Sequence, residues 1–267
     1  MAVFSKTKVG SLFVVEATGN LQMVALTRTR KELFTTFIDR EAKSQNLKVA
    51  INASFTDLPG YLDRVHVMVS DDPLDPSESK PVGEVIEGGK QIAGSSSSGK
   101  FYFSQNTCGL DRFSSGQGDP PSSSCAAVGG LAPIVVDGLP YGTTNMYSTG
   151  APPGAPATGD VDPKYQKFLV QKSNAMFTEL QGKGATVGKV AVGYSSAKQK
   201  LKLVIEADGD AKGIDAEKVR TMFTIDSMDN AVFMDCSNSA TLWFDGSFEV
   251  RPSSHKDDYL DVAVGFK

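Results

Sequence analysis

The residues best suited to chemistry lie near the C-terminus, where an apolar run meets an acid. Residues 231–234 read Ala-Val-Phe-Met and predict a buried strand, and Asp235 and the polar turn 236–239 follow directly. Because binding groups gather at the carboxyl ends of buried strands, Asp235 is the leading candidate for a functional acid. The structural alternative is that Asp235 caps the turn through its own backbone amides.

The segments before this acid must position it. Apolar strands are predicted at 187–194 and 200–207, and Asp215 can cap a helix that delivers the chain to the strand before the acid. Earlier in the chain, apolar residues at helical spacing over 30–44 lead into an apolar strand at 47–53. The order of these elements indicates a sheet with helices packed on it.

Other segments have the alternation or the apolar character of strands. The stretch 3–28 predicts a β-hairpin with a Gly-Asn turn at 19–20, and 241–250 predicts a second hairpin around an Asp-Gly turn. Residues 131–136 and 259–266 predict single strands. The elements together predict an α+β fold with a mixed β-sheet core packed with helices.

Long loop-rich stretches separate these elements. Residues 60–130 hold many Ser, Gly, Pro and Asp residues with only short strand-like pieces, and 139–162 is dominated by Gly, Pro, Thr and Ala. An Asp-Pro pair then predicts the start of a helix over 162–182. We therefore predict a single domain over residues 1–267 with loop-rich insertions at 60–130 and 139–162.

The composition excludes several classes of partner. The chain has 267 residues, a formal net charge of -4 and scattered Lys and Arg residues, so we predict no binding to nucleic acid. It has no apolar stretch of about 20 residues and so predicts no membrane span. The first residues have neither a basic region nor an uninterrupted apolar region, which predicts no signal peptide and a cytoplasmic location at synthesis.

The cysteines leave two readings open. Cys108 and Cys125 bracket a loop that one disulfide could close, although in a reducing compartment both would stay thiols. Cys236 follows the candidate acid and could pair with His66 or His255 as a nucleophile, but a small buried side chain is the plainer interpretation.

Two apparent cofactor motifs fail on inspection. Residues 94–100 fit the first seven positions of a phosphate-binding loop, but Phe101 replaces the required hydroxyl. Residues 208–213 resemble the start of a calcium loop, but Lys212 stands where an oxygen ligand belongs. The sequence predicts no cofactor and no metal site.

Several segments, in this order, resemble one family. Residues 51–55 (I-N-A-S-F) are similar to a family signature N-A-G-F-F, and 133–138 (P-I-V-V-D-G) to its middle strand. The paired strands of 189–207 and the turn at 234–239 (M-D-C-S-N-S) resemble its later strands and its L-D-G-G-G-S motif. Over most of residues 47–267 the chain thus resembles the phosphodiester glycosidase domain family.

This resemblance implies hydrolysis or binding of a sugar-1-phosphodiester or a related glycan. Cleaving a sugar from phosphate needs a carboxylate beside the sugar, while amides and a cation hold the phosphate, which is already a good leaving group. The residues it implies are Asp235 as principal acid, Glu206 as a second acid, and Asn52, Lys189, Ser237, Asn238 and Ser239 as substrate-binding residues. Glu206 has the alternative of being an outward-facing strand residue.

The chain departs from the family where catalysis is expected. Residues 236–238 (Cys-Ser-Asn) replace three glycines, Lys189 and Val190 replace an Arg-Thr pair, and Ser54 replaces a glycine. Side chains enter the space that glycine leaves open to a ligand, and Ser adopts positive φ less readily than Gly. Lys189 also lacks the bidentate fork of Arg.

These departures keep non-catalytic alternatives open. One is a structural or attachment component of a virus particle that reuses the fold, with contacts in a homo-oligomer or virion; another is a cytoplasmic scaffold. A hydrolase should bring Asp235, Asn52 and Lys189 to an open cleft, whereas an assembly protein should bury or bridge that region.

Overall fold

A computed structural model describes residues 2–57, 80–96, 100–108, 112–141, 145–147, 152–157, 161–171 and 184–267. Its strands are β1 Val3–Val9, β2 Leu12–Thr18, β3 Met23–Thr27, β4 Val49–Asn52, β5 Thr56–Asp57, β6 Lys80–Pro81, β7 Val85–Glu87, β8 Lys90–Ala93, β9 Phe101–Gln105, β10 Phe113–Gln117, β11 Ala126–Val136, β12 Leu139–Pro140, β13 Met146–Tyr147, β14 Leu169–Gln171, β15 Lys189–Ser195, β16 Lys200–Glu206, β17 Asn230–Phe233, β18 Leu242–Phe244, β19 Ser247–Val250 and β20 Val262–Phe266. Its α-helices are α1 Phe34–Ser44, α2 Pro163–Gln166, α3 Ala216–Ile225 and α4 Ser254–Asp257, with a 3₁₀ turn at Ser237–Ser239.

Two sheets dominate the described part of the chain. The larger follows the order β1-β2-β16-β15-β17-β11-β7-β8, with β9, β10 and β12 attached, and the smaller follows β19-β18-β4-β20-β3. The pairs within both sheets are antiparallel, so the predicted mixed sheet is corrected to antiparallel sheets. The protein is mostly β-structure with few helices, which agrees with the α+β prediction only in its coarser sense.

The core forms four layers. One apolar cluster joins the facing sides of the two sheets, where Val192 and Val232 of the larger sheet share a cluster with Ile51 and Val264 of the smaller one. A second cluster seats α3 on the outer face of the larger sheet, and a third seats α1 on the outer face of the smaller sheet. Each helix therefore covers an apolar sheet face that would otherwise meet water.

The predicted hairpin at 19–20 is wrong. The N-terminal hairpin joins β1 to β2 around Gly10, and β3 pairs instead with β20 in the other sheet. The Gln105 side chain accepts from the backbone N–H of Met23 at 2.9 Å and donates to the carbonyl of Leu21 at 2.7 Å. These hydrogen bonds hold the chain after residue 20, where it passes from the larger sheet to the smaller one. The alternation of apolar residues does not distinguish such a passage from a hairpin.

The stretch 60–130 contributes strands to the core in its described part. Val85, Phe101 and Phe103 are buried in the cluster between the sheets. The strand predicted at 131–136 begins earlier, at Ala126. Gly130 lies within this longer strand, where its sequence signal resembles a strand break. It adopts φ +73°, and a Cβ at this position would lie 1.5 Å from the Val82 carbonyl oxygen. Only glycine therefore permits the close packing of the two segments.

The helix predicted over 162–182 is much shorter in the structure. Asp162 caps it by accepting from the Lys164 N–H at 3.0 Å, but α2 ends at Gln166 and β14 follows at Leu169. The rest of the predicted helix, from 172 onward, lies outside the described residues. The cap was therefore predicted correctly, and the length of the helix was not.

The C-terminal third agrees best with prediction. The strands β15, β16 and β17, the Asp215-capped helix α3, the hairpin of β18 and β19, and the closing strand β20 all form where the sequence places them. Helix α4 was not predicted. None of the described helices is long and apolar enough to cross a membrane.

Candidate functional site

Asp235 stands where β17 meets the end of β4. Its backbone N–H donates to the Ala53 carbonyl at 2.8 Å, which joins a strand of the larger sheet to one of the smaller sheet. Only 7% of the residue is exposed, and its Oδ2 accepts from the Ser239 hydroxyl at 2.7 Å. The carboxylate is therefore held in one orientation between the two sheets.

Asn52 positions this acid through the backbone. Its amide nitrogen donates to the Asp235 carbonyl at 2.6 Å, and its amide oxygen accepts from the Thr241 N–H at 3.0 Å. The side chain is fully buried. Both ends of the amide are thus bound to backbone groups that would otherwise be unsatisfied, and Asn52 links β4 to the turn that carries Asp235.

The turn after Asp235 adopts the backbone shape that glycine would allow. Ser237 has φ +63°, the left-handed region that costs a serine strain energy, and its N–H donates to the Gly188 carbonyl at 2.7 Å. A Cβ at Gly188 would lie 2.4 Å from the Ser237 carbonyl oxygen. Ser237 and Asn238 are partly exposed, whereas Ser239 is buried against the acid.

Lys189 and Glu206 form a separate buried pair. The Lys189 ammonium lies 3.0 Å from Glu206 Oε2 and also donates to the carbonyls of Ala185, at 3.1 Å, and Val187. The other oxygen of Glu206 accepts from the Ser11 hydroxyl at 2.7 Å and from a backbone N–H of the loop before α3 at 3.0 Å. Both side chains are fully buried, so the pair ties β15 to β16 and to that loop.

The structure places a lysine beside the acid, and the sequence did not indicate this lysine. The Lys256 Nζ atom lies 3.7 Å from Asp235 Oδ2 and 4.9 Å from the centre of the Tyr259 ring. Lys256 lies on α4, which begins at the capping residue Ser253. The sequence feature that could have predicted this helix is the serine cap three residues before the lysine. A helix of a single turn is too short to show a hydrophobic period that would support the prediction.

Cys236 behaves as a buried thiol in this site. Its sulfur lies 3.3 Å from the Met234 carbonyl and 3.8 Å from the Val190 carbonyl, to which the S–H can donate. His66, one of its two candidate bases, lies outside the described residues. Within the described ranges, no cluster of three or more His, Cys, Asp or Glu side chains is arranged to hold a metal.

Comparisons with known proteins identify the fold. No protein-family model and no curated protein matches the sequence. Among solved structures, the chain is similar to the catalytic domain of zebrafish N-acetylglucosamine-1-phosphodiester alpha-N-acetylglucosaminidase, auto-inhibited by its pro-peptide, with a TM-score of 0.58 and 15% identity over 99% of this chain and 81% of that chain. A Burkholderia pseudomallei protein described as exported matches with a TM-score of 0.50 and 11% identity, over 96% and 73% of the two chains.

At these identities the similarity shows a shared fold. The chain thus has a distant fold relationship to the catalytic domain of that zebrafish enzyme, which is the coarser part of what the sequence motifs led us to expect. Neither matched protein is described as a component of a virus particle.

Proposed function

We propose that the protein is a phosphodiester glycosidase-like hydrolase that cleaves a sugar-1-phosphodiester, with Asp235 as its acidic group. The observation that carries the proposal is the fixed Asp235 carboxylate. It follows β17 in a fold similar to a catalytic domain of this activity, it is oriented by Ser239, and a lysine ammonium lies 3.7 Å away.

One carboxylate is sufficient for this reaction. Water adds to the anomeric carbon of the sugar while the bond from that carbon to the phosphate oxygen breaks, and the bonding electrons leave with the phosphate monoester. Asp235 stabilises the positive charge that develops on the sugar and accepts a proton from the attacking water. The phosphate leaves as a stable anion, so the reaction does not depend on a second acid to protonate it.

Asn52 and Lys189 are fully buried, so these two residues do not line the open cleft that we expected of a hydrolase, and the proposal depends on Asp235; the other predicted site residues take supporting roles. Asn52 and Ser239 hold the backbone and the carboxylate of Asp235, respectively. Lys189 and Glu206 hold the neighbouring strands rather than the substrate, because both are fully buried and paired with each other. Ser237 and Asn238 are partly exposed and remain the turn residues that could contact the sugar.

The test is hydrolysis of a panel of sugar-1-phosphodiesters by the wild-type protein and by Asp235→Asn. We expect turnover by the wild type and a loss of about 100- to 10,000-fold in the variant, the usual contribution of a positioned acid or base. Asp245→Asn is the matched control, since Asp245 is an exposed aspartate in a hairpin turn and its carboxylate pairs with Lys48 at the surface. Folded protein that turns over no member of the panel, or Asp235→Asn with wild-type rates, would contradict the proposal.

A further inference from the structure

The Lys256 side chain is mostly buried, and its ammonium has unused hydrogen-bonding capacity among the described residues. Its side chain is 17% exposed. Within the described ranges its nitrogen makes no hydrogen bond, and its neighbours are the face of the Tyr259 ring and the Asp235 carboxylate at 3.7 Å. An ammonium carries three donors, and buried donors in proteins normally meet an oxygen. The environment of Lys256 therefore suits an oxygen-rich anion that comes from outside the chain.

Lys189 shows what a structural lysine looks like in this protein. Its ammonium contacts three oxygens, from Glu206 and two backbone carbonyls, so its three donors are all used. No donor of Lys189 is left for a ligand, although the resemblance to the family assigns the phosphate to that position. The contrast indicates that, of these two lysines, Lys256 is the one available to a substrate.

Helix α4 is held in place on two sides. The Ser253 N–H donates to the Asn238 carbonyl at 2.8 Å, which attaches the start of the helix to the turn after Asp235. The Asp257 carboxylate accepts from the N–H of Thr35 at 2.6 Å and from its hydroxyl at 2.8 Å, at the start of α1. Lys256 thus lies on an element that is fixed in place. A group that must meet a ligand in one geometry needs such support.

From these contacts we infer that Lys256 binds the phosphate of a sugar phosphate whose anomeric carbon faces Asp235. The inference rests on the proposed function, because it assigns the second half of the same site. Because the two charges are only 3.7 Å apart, the sugar phosphate lies across the pair rather than between its members, with the anomeric carbon toward the carboxylate and the phosphate toward the ammonium. Lys256 then stabilises the negative charge that the departing phosphate gains. The site selects sugar 1-phosphates and their diesters over neutral glycosides.

The experiment measures binding, so that it does not depend on turnover. Calorimetric titration uses N-acetylglucosamine 1-phosphate and glucose 1-phosphate, with the two free sugars as uncharged probes. Wild type, Lys256→Met, Lys256→Gln and Lys256→Arg are compared after thermal unfolding has established that each is folded. Lys48→Met is the matched control, because it removes an equal charge from an exposed lysine that pairs with Asp245.

We expect the wild type to bind at least one sugar phosphate more tightly than its free sugar. Lys256→Met and Lys256→Gln should weaken that binding by about ten- to a hundredfold, the usual range for a lost hydrogen bond to a charged group, and leave the free sugars unchanged. Lys256→Arg and Lys48→Met should stay within a few-fold of wild type. Equal binding by wild type and the neutral variants, or no preference of the wild type for any sugar phosphate, would overturn the inference.

Asp235→Asn separates this inference from the proposed function. The variant removes a negative charge beside the phosphate, so it should bind sugar phosphate at least as tightly as wild type while it loses hydrolysis. Binding that depends on Lys256 without any turnover in the wild type supports the inference and refutes the hydrolase. Turnover that needs Asp235 but is unchanged in Lys256→Met refutes the inference and supports the hydrolase.

Discussion

At the scale of single residues, Lys189 and Glu206 illustrate how burial changes the role of a charged group. The two side chains have no exposed surface, and each charge is balanced by the other and by further hydrogen bonds. Removing one partner would leave the other charge in the interior without compensation, which is far more costly than losing the attraction itself. The pair therefore acts as a cross-link between β15 and β16.

We expect Lys189→Met and Glu206→Gln each to lower the free energy of unfolding by about 3 to 5 kcal/mol. The double variant should lose much less than the sum of the two, because neither charge is then left alone. Denaturant unfolding of the four proteins measures this coupling. The exposed pair Lys48 and Asp245 is the control cycle, expected to couple by less than about 1 kcal/mol. Additive losses at Lys189 and Glu206 would refute the cross-link.

At the scale of elements, a disulfide closes the segment between β9 and β11 that contains β10. Cys108 and Cys125 are bonded, which settles in the structure the pairing that the sequence left open. The bond connects the segment after β9 to the start of β11, with which β9 also pairs. Such a bond persists in an oxidising environment. The cytoplasmic location that we predicted from the sequence stays a prediction.

Removing this disulfide should destabilise the wild type by about 3 kcal/mol, the magnitude expected for a closed loop of roughly 15 residues. The measurement is the free energy of unfolding with and without a thiol reductant. The double variant Cys108→Ser with Cys125→Ser should match the reduced wild type, and it should not respond to the reductant. A wild-type protein whose stability is unchanged by reductant would show that the bridge contributes nothing.

At the scale of the whole molecule, the ion pair of Arg28 and Asp261 connects an N-terminal segment of the chain to the C-terminal strand. Arg28 follows β3 and Asp261 precedes β20, and their ion pair is 3.0 Å long and almost fully buried. Arg28 also donates to the carbonyl of Glu32 at 2.5 Å and to that of Asp258 at 2.9 Å. Burial raises the pKa of Asp261 to about 6, although the neighbouring Arg28 opposes the shift.

This raised pKa predicts a specific dependence of stability on pH. Between about pH 4 and pH 6, folded Asp261 still holds a proton that the unfolded chain has released, so its contribution to stability falls as the pH rises through that range. From pH 4 to pH 7, the unfolding free energy of the wild type should therefore fall by on the order of 3 kcal/mol relative to that of Asp261→Asn. Parallel pH profiles for the two proteins would show that Asp261 titrates normally.

Local signals in the sequence were sufficient for much of the C-terminal fold and for the position of Asp235, the candidate acid. The apolar runs of β15, β16 and β17 and the cap at Asp215 depend on neighbours within a few residues, so periodicity and capping rules predict them. The end of an apolar strand likewise marked Asp235, and the structure places its carboxylate beside a serine hydroxyl and an ammonium.

Only the tertiary structure decided which strands share a sheet and which polar groups remain available to a ligand. The Asn52 amide is satisfied by the backbone of Asp235, 183 positions away, and the Met23 N–H by Gln105, 82 positions away. Lys189 and Lys256 are chemically identical in the sequence and differ only in the oxygens that the fold brings to them. Hydrophobic period and capping act over a few residues, whereas burial and hydrogen-bond satisfaction depend on contacts between distant segments, which a single sequence does not specify.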